Sequence, residues 1–556
     1  MEHRQHAIVT SHRGDRDGGQ SLPSFDATSL SALLGRALPA PLQELLGEYV
    51  RTRRWFRGKA RTIREIEILD QFPLRPAPNE VIVLLVRVSY AVDEAEVYVL
   101  PLGQVAADAE PATGLPRLCV LQPASSGRVL VYDPSAGEDF SQLLLDVFTH
   151  ARTPGVHGAI KATPTEGLAQ WSGRDRPTPR QSTGEQSNTT VFFGHEFMLK
   201  LFRQLEAGEN PDVELNEFLW SHGYRNVPEP LGSVRYEGPA FIATLGIAQR
   251  FVPSDGTAWD ASLEIVERSL GRVRSMNPPP SLSLPDGDLL DDTRPGDPAI
   301  AEALVEPYAD FAALLGERTA DLHLALASEP AMPAFAPESF TADYQRSLLR
   351  DVRDRVDRAY ELLTKQLATL PDEARPFAEE VFACRGELGA ELAALESMQV
   401  HACRIRCHGD YHLGQVLYSS GDFIIIDFEG EPAQSIERRR RKGSALYDVC
   451  GMLRSFHYAA TVARQSDRWP HDDRARLASW SEAWYRWASA AFLTAYVKRA
   501  RAAAAVFLPE SVDELRSLLR LHLIDKCCYE LSYELNNRPA WVSVPMAGLR
   551  SLAHTR

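Results

Sequence analysis

The chain has no stretch approaching the roughly 20 consecutive apolar residues that a helix needs to cross a bilayer. Its first thirty residues also lack the apolar segment that directs secretion. Both absences place the expected site of action in the cytoplasm. Cysteine is scarce, with seven scattered through 556 residues. That is too few for a disulfide framework and suits a reducing compartment. Positive charge is short as well: 60 Lys and Arg against 75 Asp and Glu leave a formal net charge of −15. Such a balance argues against nucleic acid or an anionic membrane as partner. Neither GxGxxG nor GxxxxGK[ST] occurs, so the two glycine-rich phosphate loops most easily read from sequence are missing.

What remains has an ordinary globular composition, 44% hydrophobic and 24% charged. At this length one compact core does not suffice, and two or three lobes are expected. Residues 1–29 are polar and unpatterned and read as a mobile extension. A helical pattern covers Leu30 to Tyr49. Strand-like runs follow at Ile63–Leu69, Val81–Val88, Glu96–Leu100 and Arg128–Tyr132. A helix near Phe140–Ala151 and a Gly/Pro/Thr-rich connector, about 153–185, come next. Then Thr189–Phe193 and Phe197–Phe202 read as a strand pair, with further strands at Leu231–Arg235 and Ala240–Thr244 and an extended stretch at Ala248–Pro253.

Beyond Pro253 the patterns become helical: about 257–275, 300–328, 338–370, 373–398, 471–505 and 510–536. Asn277–Pro298 reads as a surface loop. Cys403-Arg-Ile-Arg-Cys407 alternates like a buried strand, and no second ligand pair completes a zinc site with His408. Of Cys527 and Cys528, one is expected in the core and the other partly exposed. The organisation is therefore α+β and bilobal: a β-rich N-terminal half and a helical C-terminal half.

Chemistry concentrates in the run His408-Gly-Asp-Tyr-His-Leu-Gly-Gln415 and the apolar strand that ends Ile425-Ile-Asp427-Phe-Glu-Gly-Glu431. A carboxylate in a tight loop, an amide five positions on and a second carboxylate at a strand's end make a phosphoryl-transfer site. Asp410 is the candidate base for a substrate hydroxyl. Gln415 and Asp427 are the candidate ligands of a Mg²⁺ carried on the phosphates of ATP. Phosphoryl transfer needs mainly positioning and charge neutralisation, so oxygen groups converging on one cleft suffice.

Upstream, Lys200 interrupts the apolar strand Phe197-Met-Leu-Lys-Leu-Phe202 and needs an anionic partner if it points inward. Nucleotide phosphates would supply one, with Glu214 on the next helix holding the lysine and Glu217 as the competing choice. The polar turn Gln186, Ser187, Asn188 and Thr189 is a candidate for phosphate contact through backbone N–H groups and hydroxyls. Gln249 to Val252, between the lobes, is the stretch expected to pair with an adenine. This is the layout of a two-lobed kinase.

With these residues in hand the chain resembles the bacterial maltokinases, sugar kinases of the eukaryotic-like, aminoglycoside-phosphotransferase-related fold. The resemblance runs over about 30–550. It is carried by Arg54-Trp-Phe-Arg-Gly-Lys59, Gly208-Glu-Asn-Pro-Asp212, His408–Leu417, Ile426–Pro432, Asp448–Ala460 and Tyr533-Glu-Leu-Asn-Asn-Arg-Pro539. It implies ATP-dependent phosphorylation of maltose at the anomeric hydroxyl, giving maltose 1-phosphate for α-glucan synthesis. It also implies an N-terminal cap subdomain at 30–135, an intermediate β subdomain at 136–253 and a helical lobe at 254–556. A functional link to a trehalose synthase and a maltosyltransferase follows from the family, with this chain a standalone form.

For the sugar, Tyr529, Glu530, Tyr533 and Glu534 share one helical face, and Tyr533, Glu534 and His412 are the candidate contacts. Asp448 and Arg454 are expected to be structural, and Trp55 to anchor the cap. Two alternatives stand beside maltose: another sugar such as glucosamine, and a catalytically silent module that binds nucleotide or glycan.

Overall fold

The computed structural model describes residues 16–17, 20–34, 38–108, 114–123, 127–173, 176–182, 187–276, 282, 289–290, 300 and 306–554. Most of the N-terminal extension, Gln186 and most of the loop expected at 277–298 lie outside the described residues. The chain divides into two compact units. One comprises Met1–Glu217, Pro228–Pro253 and Ser435–Glu437; the other comprises Phe218–Val227, Ser254–Gln434 and Arg438–Arg556.

In the first unit, one sheet runs in the order Ser24–Phe25, Arg117–Leu121, Val129–Tyr132, Glu96–Ala106, Val81–Tyr90 and Ile63–Arg75. The strand Val81–Tyr90 shows why its sequence is apolar almost throughout. Side chains alternate across a strand. Val81, Val83 and Leu85 therefore enter one core with Phe140, Leu144 and Phe148 of the helix Glu138–Thr149. Ile82, Leu84, Val86 and Val88 enter another with Leu42, Leu46, Trp55 and Phe56. Both faces are covered, so no polar alternation survives.

The second sheet runs Pro179–Gln181, Thr189–Phe193, Phe197–Leu201, Ile242–Arg250, Pro230–Glu237, Ala159–Pro164 and Arg152–Pro154. The sequence-expected connector at 153–185 is thus corrected: it supplies three of these strands. Their shortness, their prolines and the glycines between them hid the signal. The helix expected from Leu30 to Tyr49 is two helices, Leu30–Leu33 and Ala40–Arg51. Pro39 and Pro41 account for the break, because a proline has no N–H to continue a preceding helix.

The second unit is helical. Leu446–Gln465, which periodicity did not single out, packs against Ala258–Ser275, Ala478–Ala502 and Val512–Asn537. Fifteen of its twenty residues are buried, and a helix buried on all sides shows no one-sided apolar stripe. The helix expected at 373–398 divides into Arg375–Ala383 and Arg385–Ser397, and that at 471–505 into His471–Arg476 and Ala478–Ala502. Cys527 and Cys528 are both buried, at 1% and 0% exposure, which corrects the expectation that one is partly exposed. Among the described residues no helix is long and apolar enough to cross a membrane.

Candidate active site

The hairpin Val416–Ser419 with Asp422–Ile425, in register Val416 to Ile425, brings the two ends of the motif together. Ile426 N–H donates to the Gln415 carbonyl at 3.0 Å. Gln415 Nε2 then donates to Asp427 Oδ2 at 2.8 Å. Asp427 sits at φ 66°, in the left-handed region. A non-glycine residue held there stores of order 1–3 kcal/mol of strain, and such residues cluster at functional sites. The Gln415 amide oxygen and the Asp427 carboxylate are hard oxygen donors of the kind Mg²⁺ prefers, so the residue types fit the ion that the sequence implies; in the structure it is the Gln415 amide nitrogen that faces Asp427.

Asp410 lies before the hairpin, half-buried, after a turn at Gly409 with φ 85°. A Cβ at Gly409 would meet Gly430 Cα at 3.2 Å, so the turn is tight as well as left-handed. The loop backbone is held by Asp448, wholly buried on the helix Leu446–Gln465. Its carboxylate accepts from His408 N–H at 2.7 Å and Gly409 N–H at 2.9 Å. His323 Nε2 lies 3.2 Å from Asp448, and the other ring nitrogen meets Tyr496 Oη at 2.9 Å. Burial favours the neutral acid at Asp448. The His323 hydrogen bond and charge, with His408 and the Gly409 N–H, outweigh it and hold the carboxyl below its usual range. Close approach helps: a Cβ at Gly451 would meet the Tyr411 carbonyl oxygen at 2.5 Å.

Within this unit a cavity of about 540 Å³ opens over Asp410. Its wall includes His412, Tyr533 and Glu534, the three candidate sugar contacts, so the structure brings all of them to Asp410. His412 Nδ1 accepts from Gly414 N–H at 3.1 Å, which leaves the proton of the neutral ring on Nε2. Burial pushes the His412 pKa down. Three carboxylates (Asp410, Glu530, Glu534) and three cations (Arg454, Lys526, Arg538) line the cavity, with Trp259, Tyr458, Tyr529 and Trp541.

The carboxylates are not alike. Glu530 accepts from Arg454 Nε at 2.9 Å, with Arg454 Nη2 completing the ion pair at 2.7 Å. Glu534 accepts from Tyr458 Oη at 3.0 Å and from Arg538 Nε and Nη2 at 2.9 and 2.7 Å. Among the described residues, no side chain hydrogen-bonds to the Asp410 carboxylate. Lys526 is buried beneath, its ammonium 3.9 Å from the Tyr447 ring centroid. Burial disfavours that charge, but Tyr447, Asp410 and Glu431 offset it and hold the lysine pKa above its usual value.

In the first unit, Lys200 Nζ pairs with Asp212 Oδ2 at 2.9 Å, both buried. Asp212 is thus a partner of Lys200; the expected Glu214 is buried two residues on, in the same first turn of Pro211–Ser221. Asn188 Oδ1 accepts from Arg203 N–H at 3.3 Å and so ties the turn across the hairpin. Ser187 is exposed, and Thr189 opens its strand opposite Leu201. Gln249 is buried in Ile242–Arg250, opposite Met198 and Pro230, and Val252 follows that strand. Trp55 is buried against Phe56 and Tyr98, ring centroids 6.5 and 5.7 Å away.

Sequence reasoning missed Lys526 and Asp212. Lys526 had a readable signal: 526, 529, 530, 533 and 534 follow the i, i+3, i+4, i+7, i+8 pattern of one helical face. Asp212 had none, since Asp212 and Glu214 share the same turn.

Residues 49–136 match the maltokinase N-terminal cap domain, and residues 294–430 match a phosphotransferase enzyme family. The chain is 26% identical over 420 residues to a glucosamine kinase of Mycolicibacterium smegmatis (strain ATCC 700084 / mc(2)155), covering 75% of this chain and 88% of that one. It is 27% identical over 379 residues to a glucosamine kinase of Streptacidiphilus jiangxiensis, covering 67% and 73%. Among solved structures it is similar to a glucosamine kinase (crystal form B), with TM-score 0.59, 21% identity and coverage of 91% and 98%. A glucosamine kinase in complex with glucosamine, ADP and inorganic phosphate gives TM-score 0.57 at 20% identity, with coverage of 91% and 98%.

Proposed function

From a chain that joins a maltokinase-type N-terminal cap to a phosphotransferase domain of kinase-like fold, we infer an ATP-dependent sugar kinase, and we propose maltose as its acceptor. The observation that carries the reading is the Asp410 cavity: one carboxylate with no side-chain hydrogen bond among the described residues, in a wall of aromatic rings and charge-matched pairs. In the proposed reaction the anomeric hydroxyl gives its proton to Asp410. Its oxygen bonds to the γ-phosphorus as the bond to the β–γ bridging oxygen breaks, and ADP leaves. Mg²⁺, held by Gln415 and Asp427, would neutralise charge on the phosphates. Lys200, steadied by Asp212, would bind phosphate oxygens. The product is then maltose 1-phosphate, a precursor for α-glucan.

Three carboxylates balanced by three cations favour an uncharged acceptor. Glu530 and Glu534 are already engaged by arginines, and the rings offer the platforms on which a disaccharide stacks. The named relatives favour a second reading, glucosamine, whose ammonium would compete for Asp410. A coupled assay of ADP release with maltose, glucosamine, glucose and an aminoglycoside decides between them. Maltose should be preferred, with the phosphate on the anomeric oxygen by ³¹P NMR. Preference for glucosamine would replace the first reading with the second, and no turnover with any sugar would remove both.

Two variants test the nucleotide side. Asp427→Asn keeps the side-chain shape but removes one charge from the proposed metal pair, so the Mg²⁺ needed for half-maximal rate should rise roughly tenfold. An unchanged metal requirement would contradict the assignment. Lys200→Met should raise the KM for ATP roughly tenfold or more, because a charged hydrogen bond to phosphate contributes about 1.5–3 kcal/mol. The KM for the sugar should stay near its original value.

A further inference from the structure

A second cavity, of about 1060 Å³, borders the face of Leu446–Gln465 that carries His457, Thr461 and Arg464. A chain of net charge −15 gathers four guanidinium groups around it: Arg464, Arg474, Arg486 and Arg550. Two carboxylates, Glu373 and Glu482, are the only acidic groups in its described lining. Arg474 and Arg550 have exposed partners, Asp467 at 3.1 Å and Glu380 at 2.8 Å, and such pairs exchange readily in water. Arg464 differs. It is half-buried, donates to the Arg474 carbonyl at 3.4 Å, and has no carboxylate within ion-pair distance among the described residues. Burial pushes its pKa down. A cation in partial desolvation without a counter-charge is costly, and an anion from solution relieves that cost.

Guanidinium forks match the geometry of phosphate oxygens. The cavity far exceeds the volume of an inorganic ion, and Pro371, Phe377 and Val544 give it an apolar wall suited to an organic moiety. We propose that this cavity binds a phosphate monoester at Arg464, at a site separate from the acceptor cavity over Asp410. Its occupancy reaches the acceptor cavity through one contact. His457, in the wall of the second cavity, accepts from Arg454 Nη1 at 2.7 Å, and Arg454 holds Glu530 in the wall of the first. The link to turnover rests on the kinase reading; the binding does not, so the two fail separately.

The test is calorimetric titration of the full-length Asp410→Asn variant, saturated with ADP, using glucose 6-phosphate and, separately, inorganic phosphate. One site is expected, with the ester bound roughly tenfold more tightly than phosphate because of its organic part. Arg464→Gln should weaken binding of the ester roughly tenfold, while Arg464→Lys keeps most of the affinity. No heat, or an isotherm that Arg464→Gln leaves unchanged, overturns the site. Equal affinity for the two anions overturns the ester assignment. In the active enzyme, saturating glucose 6-phosphate should shift the sugar KM about threefold; a constant KM with binding intact overturns the link alone.

Discussion

Asp410→Asn should lower kcat by about 10³-fold while the protein melts as before, because a positioned general base contributes roughly 10²–10⁴-fold. The amide keeps the shape of the side chain but not its basicity. Glu534 cannot substitute, since Tyr458 and Arg538 hold both of its oxygens, and Glu530 is already paired with Arg454. Removing the Asp410 charge takes one anionic neighbour from Lys526 but leaves Glu431 and the face of the Tyr447 ring, so sugar affinity should move by a few-fold at most. Rapid-quench measurement of ADP formation, with a thermal melt of the same sample, separates the two effects. Retained turnover would take Asp410 out of the base role and with it the site as drawn.

The second large effect is expected at Asp448. Asp448→Ala orphans two backbone N–H groups, of His408 and Gly409, in a buried setting. Each unsatisfied donor costs about 1–3 kcal/mol, so a loss of about 3 kcal/mol in urea unfolding is expected. A fall in kcat should accompany it as the Asp410 loop loses its anchor. The pH dependence has a definite sign. The folded carboxyl titrates below its unfolded value of about 3.9. Its contribution is therefore complete above that unfolded value and is lost as pH falls through the folded pKa. The variant should show a shallower loss of stability on acidification below about pH 4 than the parent. Identical acid profiles would mean that the Asp448 interactions contribute nothing.

How far the sequence carried depended on the kind of signal. The strand pair at Thr189–Phe193 and Phe197–Leu201 was legible because a turn separates two β-rich runs, and the Gln415–Asp427 meeting because a short hairpin permits little else. Leu446–Gln465 was illegible as a helix because burial on every side erases the apolar period. The strands between 152 and 181 were hidden because they are short and proline-interrupted, a pattern that reads as a linker. The pairing of Lys200 with Asp212 was unreadable for a different reason: Asp212 and Glu214 open the same helical turn, and sequence pattern does not rank two acids there. The face Lys526–Glu534 was half read. Its tyrosines and glutamates stood out, while the lysine that begins the same stripe did not.

Leu446–Gln465 has one last implication. Asp448 at its start fastens the loop that presents Asp410, Arg454 and Tyr458 furnish the acceptor cavity, and His457 and Arg464 face the arginine-rich one. These five residues span about 24 Å of a single rod. Inserting one amino acid between Arg454 and His457 would turn everything downstream by about 100°. The rod therefore works as a camshaft, with its lobes ground at fixed angles, and no one of its three stations can be re-timed without disturbing the others.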